Sequence, residues 1–271
     1  MITHLRNISV LTLITILLTG CSGTKTISTP QAVQPPEIDG NISDWDMQKS
    51  MIDRSDVADY YATYDEEFIY LYIDVKSPGH SQAMKQSGFI IYINSSEENR
   101  DQIGLAFPSG TFNLLRENPA EYEAFTTDQE WFQEPQNRER LESLESQIFD
   151  RVMIVERMGP DTNYGFVDKE RLQIDGIEMS SGENRRLISI EMRVPLNSSS
   201  IYSLNGDQFW LGFEIDPPNF RIQNNDNTSS RRQQQGYGRG RATQGSSMTR
   251  MNMRQRMGQY RQWYHVDLSG E

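Results

Sequence analysis

Phe68-Ile-Tyr-Leu-Tyr-Ile-Asp-Val75 alternates strictly, with Ile69, Leu71, Ile73 and Val75 on one face and Phe68, Tyr70, Tyr72 and Asp74 on the other. That period of two is the signature of a β-strand whose faces meet different surroundings. Upstream, the aromatic stretch 60–64 reaches it across Asp65-Glu66-Glu67, a polar break of hairpin length. Downstream, the same reading predicts strands over 88–94, 102–107, 151–157, 172–179, 187–194, 208–215 and 262–268. The single predicted helix lies inside this series, where Pro135 precedes 137–148 and Leu141, Leu144 and Ile148 form one stripe. Many short strands with one short inserted helix predict an all-β protein, an antiparallel, jelly-roll-like β-sandwich.

The chain has 271 residues and a formal charge of −12, unevenly spread. Residues 221–261 hold nine arginines and one acidic residue, Asp226, so the remainder is strongly acidic. An acidic body argues against nucleic acid as the main partner. Residues 219–258 are rich in Asn, Gln, Ser, Gly, Arg and Met with little to bury, and read as a long disordered loop between the last two strands. Arg239-Gly-Arg241 after Gly236-Tyr-Gly238 resembles Arg/Gly tracts that bind RNA, although anionic polysaccharide or lipid headgroups suit an exported chain better.

At the N-terminus, Arg6 precedes an apolar run over 8–18, too short to span a bilayer comfortably and of the length of a signal-peptide core. Leu18-Thr19-Gly20-Cys21 closes it and resembles the lipobox of bacterial lipoproteins, in which the cysteine is acylated and becomes the first residue of the mature chain. Cys21 is the only cysteine, so no internal disulfide is available. The resemblance implies a signal peptide over 1–20, lipidation of Cys21 and a cell-envelope protein anchored without spanning. Residues 21–34, rich in Ser, Thr and Pro, read as a flexible tether to a domain over 35–271. Ser22 stands where some lipoproteins carry an aspartate that retains them in the inner membrane, which favours the outer membrane.

Pro36-Glu-Ile-Asp-Gly-Asn-Ile-Ser-Asp-Trp45 resembles the opening "I-D-G … D/E-W" signature of family 9 carbohydrate-binding-module-like (DOMON-like) domains. The stretches 61–75, 187–195 and 209–216 resemble that family's later strands. The resemblance implies a β-sandwich that binds sugar or haem, or has no known ligand. Asp39, Gly40, Asp44 and Trp45 read as fold-forming: a tight turn, a local side-chain bond, and a large ring closing the sandwich.

If the aliphatic faces of 69–75, 188–194 and 209–215 form the core, the opposite faces hold Tyr70, Tyr72, Asp74, Glu191, Arg193, Trp210 and Glu214. Flat rings with carboxylates and a guanidinium suit a sugar, because rings stack on pyranose faces and charged groups bond hydroxyls. The competing reading places these residues under a covering loop. Asp53, Asp56 and Asp59 offer the oxygen ligands that calcium takes, in a spacing that fits no defined loop. Met248, Met251, Met253 and Met257 could offer thioethers to copper, but Arg250, Arg254 and Arg256 among them oppose cation capture. Only His80 and His265 remain after processing as haem ligands, which argues against haem. No nucleophile–base pair, phosphate loop or histidine metal motif is present in the sequence, so the reading is a noncatalytic binding protein. Its partners are the membrane through the lipid, and either a glycan or, in the alternative, an envelope protein complex docked through the basic loop.

Overall fold

The computed structural model describes residues 24–128, 130–220 and 260–269. The expected signal peptide, Cys21, the methionines 248–257 and almost all of the expected basic loop lie outside these residues. The protein is a β-sandwich. One sheet has the strand order β1-β12-β11-β5-β6-β7-β8 and the other β2-β3-β4-β10-β9. In chain order the strands are β1 (Lys25–Ser28), β2 (Met51–Arg54), β3 (Ala58–Tyr64), β4 (Phe68–Val75), β5 (Ile90–Asn94), β6 (Ile103–Ala106), β7 (Arg151–Met158) and β8 (Asp161–Asp168). Then follow β9 (Glu178–Asn184), β10 (Leu187–Pro195), β11 (Gln208–Ile215) and β12 (Tyr260–Asp267). Neighbours pair antiparallel except β1, which runs parallel to β12 with Lys25 opposite Tyr264.

The core lies between the sheets and is built by the alternation read in the sequence. Ile69, Leu71, Ile73 and Val75 of β4, Ile188, Ile190, Met192 and Val194 of β10, and Phe209, Leu211, Phe213 and Ile215 of β11 all enter one buried cluster. Phe213 is stacked at its centre, with ring centroids 4.6 Å from Tyr60 and 5.8 Å from Phe89. Rings of this size contribute much of the apolar area that holds a sandwich together.

Five α-helices occur among the described residues, where the sequence reading expected one: α1 (Pro78–Ser87), α2 (Thr111–Leu114), α3 (Pro119–Thr127), α4 (Pro135–Glu145) and α5 (Lys169–Gln173). Their entry signals are local and short. Ser77 caps α1 by accepting from the His80 amide, Asn118 caps α3 by accepting from the Glu121 amide, and a proline follows each cap. The strand expected over 172–179 is corrected as well, because α5 occupies its start and a turn at Gly176, with φ 83°, redirects the chain into β9. Helices α2 to α4 form an insert between β6 and β7 and close one end of the core with Phe112, Phe125, Trp131 and Leu144. At this helical end β3 begins, β4 and β11 finish, and β9 turns into β10. The turn over 65–67 lies at the opposite end.

The reading of 21–34 as a tether is corrected over its described part. Lys25–Ser28 forms an edge strand, Ile27 and Thr29 are buried, and Lys25 Nζ lies 2.8 Å from both carboxylate oxygens of Asp53. A polar composition hid the strand, since only Ile27 carries an apolar side chain inward. At the other border, Asn219 and Phe220 of the expected loop are described, and Phe220 packs on Phe125 at 5.2 Å. Replacing Ile27 by Asn is expected to lower the stability of the domain by about 2 kcal/mol in urea unfolding, from lost burial and an amide left in the core. A flexible tether would leave the midpoint unchanged.

Candidate functional site

The seven residues proposed from strand parity do not share a face. Parity assigned each to the side away from the core correctly, but β11 belongs to the other sheet, so Trp210 and Glu214 lie on one outer surface and Tyr70, Tyr72, Asp74, Glu191 and Arg193 on the opposite one. Sheet membership depends on long-range pairing that alternation does not encode.

On the five-stranded sheet these residues lie under a strap formed by 36–47. Glu191 is completely buried, and its carboxylate accepts from the Trp45 indole N–H at 2.7 Å, the Gly40 amide at 2.7 Å and the Asp39 amide at 3.0 Å. Ser189 donates back to the Gly40 carbonyl at 2.9 Å. Gly40 has φ 85°, and a Cβ there would fall 2.5 Å from the Ser181 carbonyl carbon, so a side chain would push the strap off the sheet. Asp44 accepts from the Glu37 amide and Asp39 from the Asn41 amide, each at 2.7 Å, shaping the turns on either side. Trp45, Tyr61, Tyr70 and Tyr72 form a separate buried aromatic cluster beneath. Tyr72 is 1% and Tyr70 2% exposed, so neither ring offers a face to a ligand. Burial pushes the Tyr72 hydroxyl up to about 12. Tyr70 donates to Asp65 at 2.7 Å, Asp74 accepts from Asn184 at 2.9 Å, and Arg193 pairs with Glu178 at 2.9 Å.

Burial also drives Glu191 up to about 7, against the pull of the Trp45, Gly40 and Asp39 donors. For an acid with a raised folded value, the fold favours the protonated form. That contribution is fully present below the ordinary value of 4.5 and is lost as pH rises through 7. The loss is on the order of 3 kcal/mol. The urea midpoint is therefore expected to fall between pH 4.5 and 7 in the wild type, with Glu191→Gln removing that part of the slope; parallel pH profiles for the two proteins would contradict it.

On the seven-stranded sheet Glu214 is 2% exposed and joins a four-charge network. Arg157 lies 3.2 Å and Arg261 3.5 Å from its carboxylate, and both also reach Asp101, at 3.3 and 2.8 Å. Although burial opposes it, the two arginines hold the Asp101 carboxyl below its ordinary range. Trp210 is half-buried against His265, with ring centroids 5.0 Å apart, and Arg100 lies over both Trp210 and Trp263 at 5.4 and 5.0 Å.

The calcium candidates do not converge. Asp53 points inward to Lys25 and the Tyr264 hydroxyl, Asp59 points outward to Lys76 at 3.1 Å, and Asp56 sits in the intervening turn. Successive strand positions face opposite ways, so a spacing of six residues that bridges a hairpin can split carboxylates between faces. Among the described residues, no group of three His, Cys, Asp or Glu side chains could hold a metal ion. The His80 ring in the first turn of α1 lies 2.9 Å from the Ser77 hydroxyl, while His265 lies on the outer face of β12, so the two do not meet.

A cavity of about 750 Å³ opens where α3, β8 and the end of β11 approach one another. Arg116, Tyr122, Glu123, Thr126, Thr127, Tyr164, Asp216 and Asn219 line it, with Pro119 and Pro217. The Arg116 guanidinium is held between two rings, 4.3 Å from the centre of Tyr122 and 4.1 Å from that of Tyr164. Its Nε donates to Asn113 at 3.3 Å. Among the described residues no carboxylate lies within ion-pair distance of Arg116. Burial raises the Tyr122 hydroxyl. The volume falls in the range of small-ligand sites, and the lining combines aromatic surface, a fixed cation, carboxylates and hydroxyls. None of these residues was singled out in the sequence. Arg116 follows a short helix and Tyr164 sits on an exposed edge strand, and only the insert between β6 and β7 brings them together. Comparison with protein-family models and with curated proteins finds no match. Among the described residues no helix is long and apolar enough to cross a membrane.

Proposed function

We propose that this chain is a lipid-anchored, noncatalytic binding protein of the bacterial cell envelope, held at the outer membrane through Cys21, and that its ligand is a glycan. The observation that carries the reading is the cavity of about 750 Å³ bearing Arg116, Tyr122 and Tyr164. Tyr164 is partly exposed, and a guanidinium already locked by two rings loses little freedom when it bonds sugar hydroxyls or a uronate carboxylate. Glu123 adds a carboxylate to the lining, and the Thr126 and Thr127 hydroxyls, which donate to α3 carbonyls, keep acceptor lone pairs. The resemblance to family 9 carbohydrate-binding-module-like domains points the same way, with the ligand moved from the sheet face to the end of the sandwich.

A second reading, an assembly subunit that docks an envelope protein, is favoured by the half-buried Trp210 with Arg100 stacked over it, since tryptophan and arginine dominate protein interfaces. Calorimetry and a glycan array on the chain from Ser22 onward separate the two. Tyr164→Ala and Arg116→Ala are each expected to weaken glycan binding at least tenfold with little change in the urea midpoint. Tyr70→Ala, in the buried cluster, is expected to lower the midpoint instead. Binding to no glycan would contradict the reading and turn attention to protein partners of the Trp210 surface.

A further inference from the structure

We infer that the helical end of the sandwich faces the bilayer, and that Arg185 and Arg186 at its β9–β10 tip contact anionic phospholipid headgroups. The inference rests on the proposed lipidation of Cys21. Strand β1 runs parallel to β12, which starts at the helical end, so the chain upstream of Lys25 leaves towards that end. Only Ser22, Gly23 and Thr24 separate Cys21 from Lys25. Even fully extended, that stretch reaches roughly 14 Å. The strand itself is fixed by the buried Ile27 and Thr29 and by the Lys25–Asp53 pair, so it cannot lengthen the leash without giving up those contacts. A domain held this closely presents the end that carries the leash.

The tip at that end has an unusual composition. Arg185 and Arg186 form the two-residue connection between β9 and β10, with φ of 53° and 67°. Both positions take the left-handed conformation for which Gly and Asn are ordinarily selected. Two arginines there are poor choices for the backbone, so their side chains are the reason to look for a partner. Both are exposed and neither forms an ion pair among the described residues, although Asp74 at the end of β4 lies near enough to Arg185 to feel its charge. Arg54, at the end of β2 beside β1, is also exposed at this end. β9 is the edge strand farthest from β2, so the leash and the arginine tip share an end of the sandwich but not an edge. Guanidinium forks match phosphate oxygens, and anionic leaflets attract basic groups close to their surface.

The test uses the full lipidated chain on vesicles of phosphatidylethanolamine and phosphatidylglycerol that carry a headgroup-attached quencher. With the Cys21 sulfur acylated, one introduced cysteine takes a dye uniquely, either Glu183→Cys beside the tip or Glu66→Cys at the opposite end; both positions are exposed. Quenching is expected to be at least threefold stronger at 183 than at 66, and Arg185→Ala with Arg186→Ala is expected to at least halve the value at 183. Equal or reversed quenching overturns the orientation, and a value at 183 that ignores the double substitution overturns the headgroup contact. Flotation of the vesicles reads attachment separately: protein that fails to float overturns the lipid-anchor reading, and this inference with it.

Discussion

A buried carboxylate on the outside of a sheet is the constraint on which the architecture turns. Glu191 points away from the sandwich core, where a strand of this type would meet water, and instead accepts three hydrogen bonds from a strap that closes over it. An unpaired carboxylate there would be costly, so strap and strand are selected together. The "I-D-G … D-W" segment is explained by this contact. Asp39 and Gly40 supply amides, Gly40 permits the close approach to Ser181, and Trp45 supplies both an indole donor and the ring that covers Tyr72. With the strap in place, the five-stranded sheet is buried on both faces over its centre, which is why aromatic residues line the side that faces no core.

The same constraint closes the sheet faces. Once the strap covers Tyr70 and Tyr72, and the charge network ties Glu214 to Arg157 and Arg261, the sheet surfaces have little left to offer a small ligand. The open chemistry lies at the end of the sandwich, where the helical insert leaves a gap beside an edge strand. Ends of sandwiches and the loops that decorate them are common ligand sites for this reason: the scaffold is rigid and the connections can vary.

The sequence made the strands legible wherever one face was aliphatic, as in β4, β10 and β11, because alternation is a local signal. It was silent on β1 and β8, whose residues are mostly polar and which lie at sheet edges, and on the short helices, whose evidence is confined to Ser77-Pro78 and Asn118-Pro119. Side-chain direction was read correctly for Glu191 and Trp210, but their separation onto opposite outer surfaces required knowing which sheet β11 joins. The cavity was beyond reach for a related reason. Arg116, Tyr164 and Asp216 are distant in sequence, and their meeting is a product of topology and not of any spacing.

The most direct test of the clamp between strap and sheet is a double-mutant cycle on Trp45→Phe and Glu191→Gln, read by urea unfolding at pH 8, where the carboxylate is charged. Trp45→Phe removes the indole donor, while Glu191→Gln keeps an acceptor oxygen and takes away its charge, so the effects of the two changes should depart from additivity by about 1 kcal/mol. Losses that add to within about 0.5 kcal/mol would mean that Trp45 and Glu191 act independently and that the strap is held by something else.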